Sequence, residues 1–207
     1  MAREKNGKKE NTLSPARQAI EENYLLRREE YLAAGFREEN ATISVLKANL
    51  MAFATAGPLV AIAGFLFVNR WRDQDLSVEF LPLLLAVVVC IAVHEFLHGI
   101  GWSFFCRDGF RSIHIGVQWR MLTPYCHCKE PLRFGPYLFG GLLPLFVLGV
   151  GIFVAAYLTG DLFLFFLSAI NILSAGGDTT IALLLFKYRD AEILDHPTDC
   201  GFVAFRK

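Results

Sequence analysis

Residues 80–105 read FLPLLLAVVVCIAVHEFLHGIGWSFF. A run of this length satisfies the requirement of about 20 apolar residues for one helix across a hydrocarbon core. Three further runs, at approximately 48–69, 136–158 and 162–187, have the same character, and Asn49–Asn69 contains no charged residue. Four such stretches in 207 residues leave too little polar surface for a soluble protein to cover them. The expected fold class is an all-α membrane protein of about four transmembrane helices, with a small cytoplasmic β-hairpin between spans two and three.

The rest of the chain supports this division. Hydrophobic residues make up 54% and charged residues 19%, which excludes a disordered chain. Twenty basic residues balance twenty acidic ones, so nothing in the net charge favours nucleic acid as a partner. Residues 1–46 hold eight Lys or Arg and eight Glu, and they lack the apolar core of a cleavable signal peptide. The expected organisation is a polar, partly helical N-terminal segment over 1–46, a four-span membrane domain over 47–187 and a tail over 188–207.

Lys and Arg fall unevenly between the two sides of such a protein. The N-terminal segment through Lys47, the 106–135 connection and the tail from Lys187 together carry eighteen, against Arg70 and Arg72 on the other side. By the positive-inside rule both termini and the 106–135 connection are expected in the cytoplasm. Ser14 is the expected N-cap of an N-terminal helix, Pro15 its first residue and Gly35 its stop. Ile20, Tyr24 and Tyr31 lie near one face of it, which suits either a partner-binding or membrane-surface helix or a solvated one. In the 106–135 connection Ile113, Ile115, Val117, Trp119 and Met121 alternate with polar residues or glycine, the period of a strand. Thr123 and Pro124 mark a turn, and 125–129 is the expected returning strand.

Ionisable side chains within the apolar runs carry the chemistry. His94-Glu95-Phe96-Leu97-His98 places two imidazoles at i and i+4 on one helical face, where both can reach one metal ion, with Glu95 beside them as a candidate base. A charged group at a helix centre costs roughly 2.5–3.5 kcal/mol on insertion scales. Only His94, Glu95, His98 and Asp178 occupy such positions here. At 1.5 Å per residue the histidine pair and Asp178 each lie ~13 Å from the cytoplasmic end of their span. Asp178 at that depth supplies a third ligand of a His₂Asp set, the pattern of a catalytic zinc site. Gly176 and Gly177 before it allow a close helix approach or a loosened backbone, and Pro144 is expected to kink span three.

Other candidates remain open. Asn171 either orients a ligand or packs between helices. His127 or Lys129 either reaches the site from the hairpin, as a substrate contact or oxyanion donor, or stays at the surface. Glu130 and His127 compete with Asp178 as the third ligand. Cys126 and Cys128 suit a second metal site or a redox pair, or are free thiols, as expected for a cytoplasmic face. Cys90 and Cys106 read as packing residues.

The HEFLHG sequence at 94–99, the segment Tyr125-Cys126-His127-Cys128-Lys129-Glu130-Pro131-Leu132 and Ala175-Gly176-Gly177-Asp178 resemble the membrane family described as "putative zincin peptidase". That family is itself similar to site-2 intramembrane metalloproteases. The resemblance covers roughly residues 80–190. It implies zinc as cofactor on His94, His98 and Asp178, Glu95 as catalytic base, and a membrane protein or peptide as substrate. The alternative from another class is a membrane metal-binding or adaptor protein that does not hydrolyse anything. Glu95 separates the two, because metal binding alone has no use for a base.

Overall fold

The computed structural model describes residues 15–72, 77–118 and 123–207. Helix α1 (Pro15–Ala33) begins on the expected proline, while Ser14 lies outside the described residues. Gly35, at φ 81°, ends it, and Phe36 N–H then reaches the Tyr31 carbonyl at 3.0 Å.

Three long apolar helical stretches follow. They are α2 (Val45–Arg70), α3 (Phe80–Ser103) and a composite of α4 (Phe134–Pro144), a wide-turn stretch over Leu145–Gly151 and α5 (Ile152–Thr159). Each is long and apolar enough to cross a membrane. Pro144 leads directly into the wide turns, in keeping with the expected irregularity there, and Ser168 Oγ donates to the Gly149 carbonyl at 2.9 Å. Phe53, Phe65, Phe80, Leu85 and Val89 remain exposed on α2 and α3, as suits surfaces that meet lipid.

The expected continuous span 162–187 is broken. It consists of α6 (Leu162–Ser174) and α7 (Gly176–Leu185), bent by 42° about Ala175, so the described residues hold three membrane-length helices, or four if the bent pair counts as one. Gly176 lets α7 press on α2, since a Cβ there would lie 2.5 Å from Ala52 Cβ. The Gly176 carbonyl has the hydroxyls of Thr55, Thr179 and Thr180 at 3.2, 2.9 and 2.8 Å, and Thr55 ties this first turn of α7 to α2.

The chain is not purely all-α. Strands β2 (Ile113–Gln118) and β3 (Thr123–Cys128) form the expected antiparallel hairpin, pairing Ile113 with Cys128 and His114 with His127. Thr123 and Pro124 belong to β3 and not to a turn, whereas Trp119, Arg120 and Met121 lie outside the described residues. A second sheet joins regions that the sequence keeps apart: β1 (Arg37–Ile43), β6 (Cys200–Arg206), β5 (Glu192–Asp195) and β4 (Leu132–Arg133), in that order and all antiparallel.

Burial on both faces explains why this sheet escapes a search for alternation. On β6, Phe202 and Ala204 face Trp102, Tyr137 and Leu185 of the helices, while Val203 and Phe205 face Tyr24 and Tyr31 of α1. All four β6 residues are fully buried, so they read as one short apolar run. The polar β1 is an edge strand whose Ala41 alone is buried. Helix α1 is thus the cover of the sheet, with Tyr31 stacked on Phe205 at 4.7 Å.

The β1–β6 pairing sits on Gly201, where φ is +124° and a Cβ would stand 2.5 Å from the Ala41 carbonyl oxygen. Gly201→Val should therefore cost roughly 2 kcal/mol or more. Gly135→Ala, with no atom within 4 Å of the added Cβ, should be neutral or slightly stabilising. Thermal unfolding of the two purified variants in nanodiscs checks the contrast.

Candidate metal centre

His94 and His98 lie one turn apart on α3, both buried. Asp178, the third residue of α7, sits where the helix N-terminus favours a carboxylate. The sheared start of α7 against α2 delivers it to the histidines. His94 Nε2 is 3.1 Å from Asp178 Oδ2, His98 Nε2 is 3.5 Å from Asp178 Oδ1, and the two Nε2 atoms are 3.2 Å apart. Among the described residues this is the one group of three side chains of metal-binding type that converge.

The neighbouring bonds decide which atoms face inward. His98 Nδ1 lies 2.9 Å from the Gly140 carbonyl oxygen. A carbonyl only accepts, so Nδ1 carries a proton, and in the neutral ring the Nε2 lone pair then faces His94 and Asp178. Asp178 Oδ2 is buried without a satisfying hydrogen bond, although His94 Nε2 stands 3.1 Å away. Three such acceptor atoms repel one another unless protons or a cation lie among them. Their separations of 3.1–3.5 Å fit the edges of a tetrahedron around zinc, about 3.3 Å for zinc–ligand distances near 2.0–2.1 Å. The donor set accordingly suits zinc.

Two glycines hold His98 in place. A Cβ on Gly101 would lie 2.6 Å from Gly140 Cα, and one on Gly140 would lie 2.1 Å from Trp102 Cδ1. Only glycine at both positions allows α3 and α4 to cross at backbone distance, which brings the Gly140 carbonyl to His98. Trp102 then stacks on the His98 ring at 5.2 Å and donates its Nε1–H to the Tyr137 carbonyl at 3.0 Å.

The three side chains border a cavity of about 400 Å³. Glu95 borders it as well, and so does Cys126 of β3. Helices supply one side of the cavity, β3 and residues 195–201 the other. His94, Glu95, His98 and Asp178 are therefore together, as the sequence indicates.

The remaining candidates separate. His127 borders the cavity, with Nδ1 3.2 Å from Asp195 Oδ2. Asn171 does not, since its Nδ2 donates to the Leu167 carbonyl at 2.8 Å and it serves the end of α6. Lys129 also lies elsewhere, with Nζ donating to the Arg111 carbonyl at 2.6 Å. Glu130 accepts the backbone N–H groups of Arg107 and Asp108 and the Ser112 hydroxyl. Its partial burial raises its pKa, but these donors outweigh that and hold it below the usual carboxylate range. It is committed to the loop after α3. Among the described residues Cys126 and Cys128 gather no third ligand. Cys128 Sγ lies 3.5 Å from Cys106 Sγ, and all five cysteines are free thiols.

Sequence reasoning missed Gly140, Trp102, Tyr137 and Asp195 as parts of the site. A tryptophan four residues after His98 on the same helical face was the available signal for one of them.

The chain belongs to the family described as "Putative zincin peptidase", whose model matches residues 87–193, just over half of its length. No curated protein and no solved structure matches it.

Gly140→Ala should push Trp102 and the Gly140 carbonyl out of register with His98. Zinc affinity of the purified protein, measured by chelator competition, should then fall about 10–100-fold, the usual cost of losing an outer partner of a ligating histidine. Gly141→Ala, whose added Cβ meets nothing within 4 Å, should leave it unchanged.

Proposed function

We propose that this member of the family is an integral membrane zinc peptidase, resembling site-2 proteases, that hydrolyses a peptide bond of a membrane protein segment near the cytoplasmic face. The observation that carries the reading is that two histidines, Asp178 and Glu95 border one cavity while three of them present metal-binding atoms to a common point. Zinc bound there supplies a Lewis acid that polarises the scissile carbonyl and makes an attacking water easier to deprotonate. Glu95, with no place among the three converging ligands, takes a proton from the water and returns it to the leaving nitrogen. His98 is kept in the ligating tautomer by the Gly140 carbonyl.

The edge of β3 turned away from β2 offers a place for substrate. Pro124, Tyr125, Cys126 and His127 border the cavity together with Glu95, and the Cys128 N–H goes to Asp195, so β3 runs past the base. A substrate segment unwound from its helix can lie along it as an added strand, giving its N–H groups to β3 carbonyl oxygens, since Pro124 has no N–H to return and that of Cys128 is held by Asp195. Burial of the site between apolar helices keeps out bulk water, which strengthens every electrostatic interaction there.

Glu95→Gln should lower turnover of a membrane peptide substrate by about 10²–10⁴-fold while metal content stays near native. Asp178→Ala should lose metal and activity together. Comparing membrane proteomes of cells expressing native protein and Glu95→Gln identifies the substrate; cleavage by the Gln variant at the native rate would remove Glu95 from the mechanism and leave a metal-binding or adaptor role. Topology is a separate test: reporters at Lys207 and Pro124 should be cytoplasmic, and one after Arg72 should not.

A further inference from the structure

We infer that His127, held by Asp195, is a further catalytic residue of this site, whose Nε2–H hydrogen-bonds the scissile carbonyl oxygen as negative charge builds on it. The inference rests on the peptidase reading and adds to it a group from the hairpin and one from the C-terminal strand.

His127 borders the same cavity as Glu95 and Asp178, and its side chain is only 5% exposed. Its strand neighbours Tyr125 and Cys126 border that cavity too. The Nδ1 atom is 3.2 Å from Asp195 Oδ2. That oxygen also accepts the Cys128 N–H at 3.2 Å, and Oδ1 accepts the Tyr137 hydroxyl at 2.9 Å. An ionised carboxylate only accepts, so Nδ1 is a donor and Nε2 is the polar atom left for a ligand.

The pair is more than a pin between strands. Cys128 and Tyr137 already fix Asp195 to β3 and α4, so joining those elements has no need of an imidazole. A nearly buried polar ring at a cavity wall costs more than an apolar one would, unless something in the cavity uses it. A proton on Nε2 as well as on Nδ1 gives a developing oxyanion a positioned donor. The proton count of hydrolysis is unaffected. The water oxygen bonds to the carbonyl carbon, Glu95 carries one water proton to the amine as the C–N bond breaks, and His127 keeps its protons throughout. Asp195 is a positioning residue, acting through His127. It lies beyond the residues matched by the family model, which end at 193.

The test uses full-length, zinc-loaded protein in nanodiscs and two probes followed by titration calorimetry. A phosphoramidate dipeptide, Nα-phosphoryl-Leu-Trp, presents tetrahedral anionic oxygens; acetohydroxamate binds zinc without them. In His127→Phe and His127→Gln, phosphoramidate affinity should fall on the order of 10²-fold, with one zinc retained and acetohydroxamate affinity within about twofold of native. Asp195→Asn should move the ratio of the two affinities in the same direction, which a merely structural role would not do. Native phosphoramidate affinity in both His127 variants, or loss of zinc from both, would overturn the assignment. Native protein that holds no zinc or binds neither probe would instead sink the peptidase reading on which it rests.

Discussion

Two imidazole nitrogens and a carboxylate lie within 3.5 Å of one another between apolar helices. Away from water such a group is unfavourable unless protons or a cation lie among its lone pairs. A divalent cation converts the repulsion into attraction, and the surrounding structure serves to maintain the convergence. The glycine crossing of α3 and α4 sets His98, and the contact of Gly176 with Ala52 sets the start of α7 and with it Asp178. Across the bend at Ala175 the Ala175 N–H still reaches the Asn171 carbonyl, and the Thr55 hydroxyl of α2 lies 3.2 Å from the Gly176 carbonyl that opens α7. A straight helix through 162–187 would lack both the break and the N-terminal turn on which Asp178 sits.

The polar parts of the chain complete the site and are not mere appendages. Strands β5 and β6 lie between the helices and α1, so the first and last parts of the chain share one sheet. Through Asp195 that sheet reaches β3 and Tyr137, and through Tyr137 it reaches Trp102 and the His98 ring. Packing of α1 on the sheet is thereby connected to the metal-binding group by a continuous series of contacts.

The sequence exposes those parts of the site that violate its own pattern. His94, Glu95, His98 and Asp178 stand out because ionisable groups are rare and costly in apolar runs. Depth arithmetic places Asp178 level with the histidines even though its span is broken, since the break at Ala175 precedes it and the count runs back from the far end. The hairpin is legible from its alternation. The four-stranded sheet is not: β6 is buried on both faces and has no alternation to detect, and β1 is polar because it is an edge. Asp195 looks like any tail carboxylate until β5 and β3 are brought together. Gly140 looks like a packing glycine with no stated partner, because its use depends on an indole 38 positions earlier in the chain.

The central claim is that two histidines and an aspartate hold zinc within the helical bundle. Zinc-edge X-ray absorption on the purified full-length protein tests it most directly. The expected first shell contains nitrogen and oxygen only, at about 2.0–2.1 Å, with outer scattering from two imidazoles. A sulfur shell at about 2.3 Å would contradict it, since the metal would then be held by cysteine and not by the His94, His98 and Asp178 group.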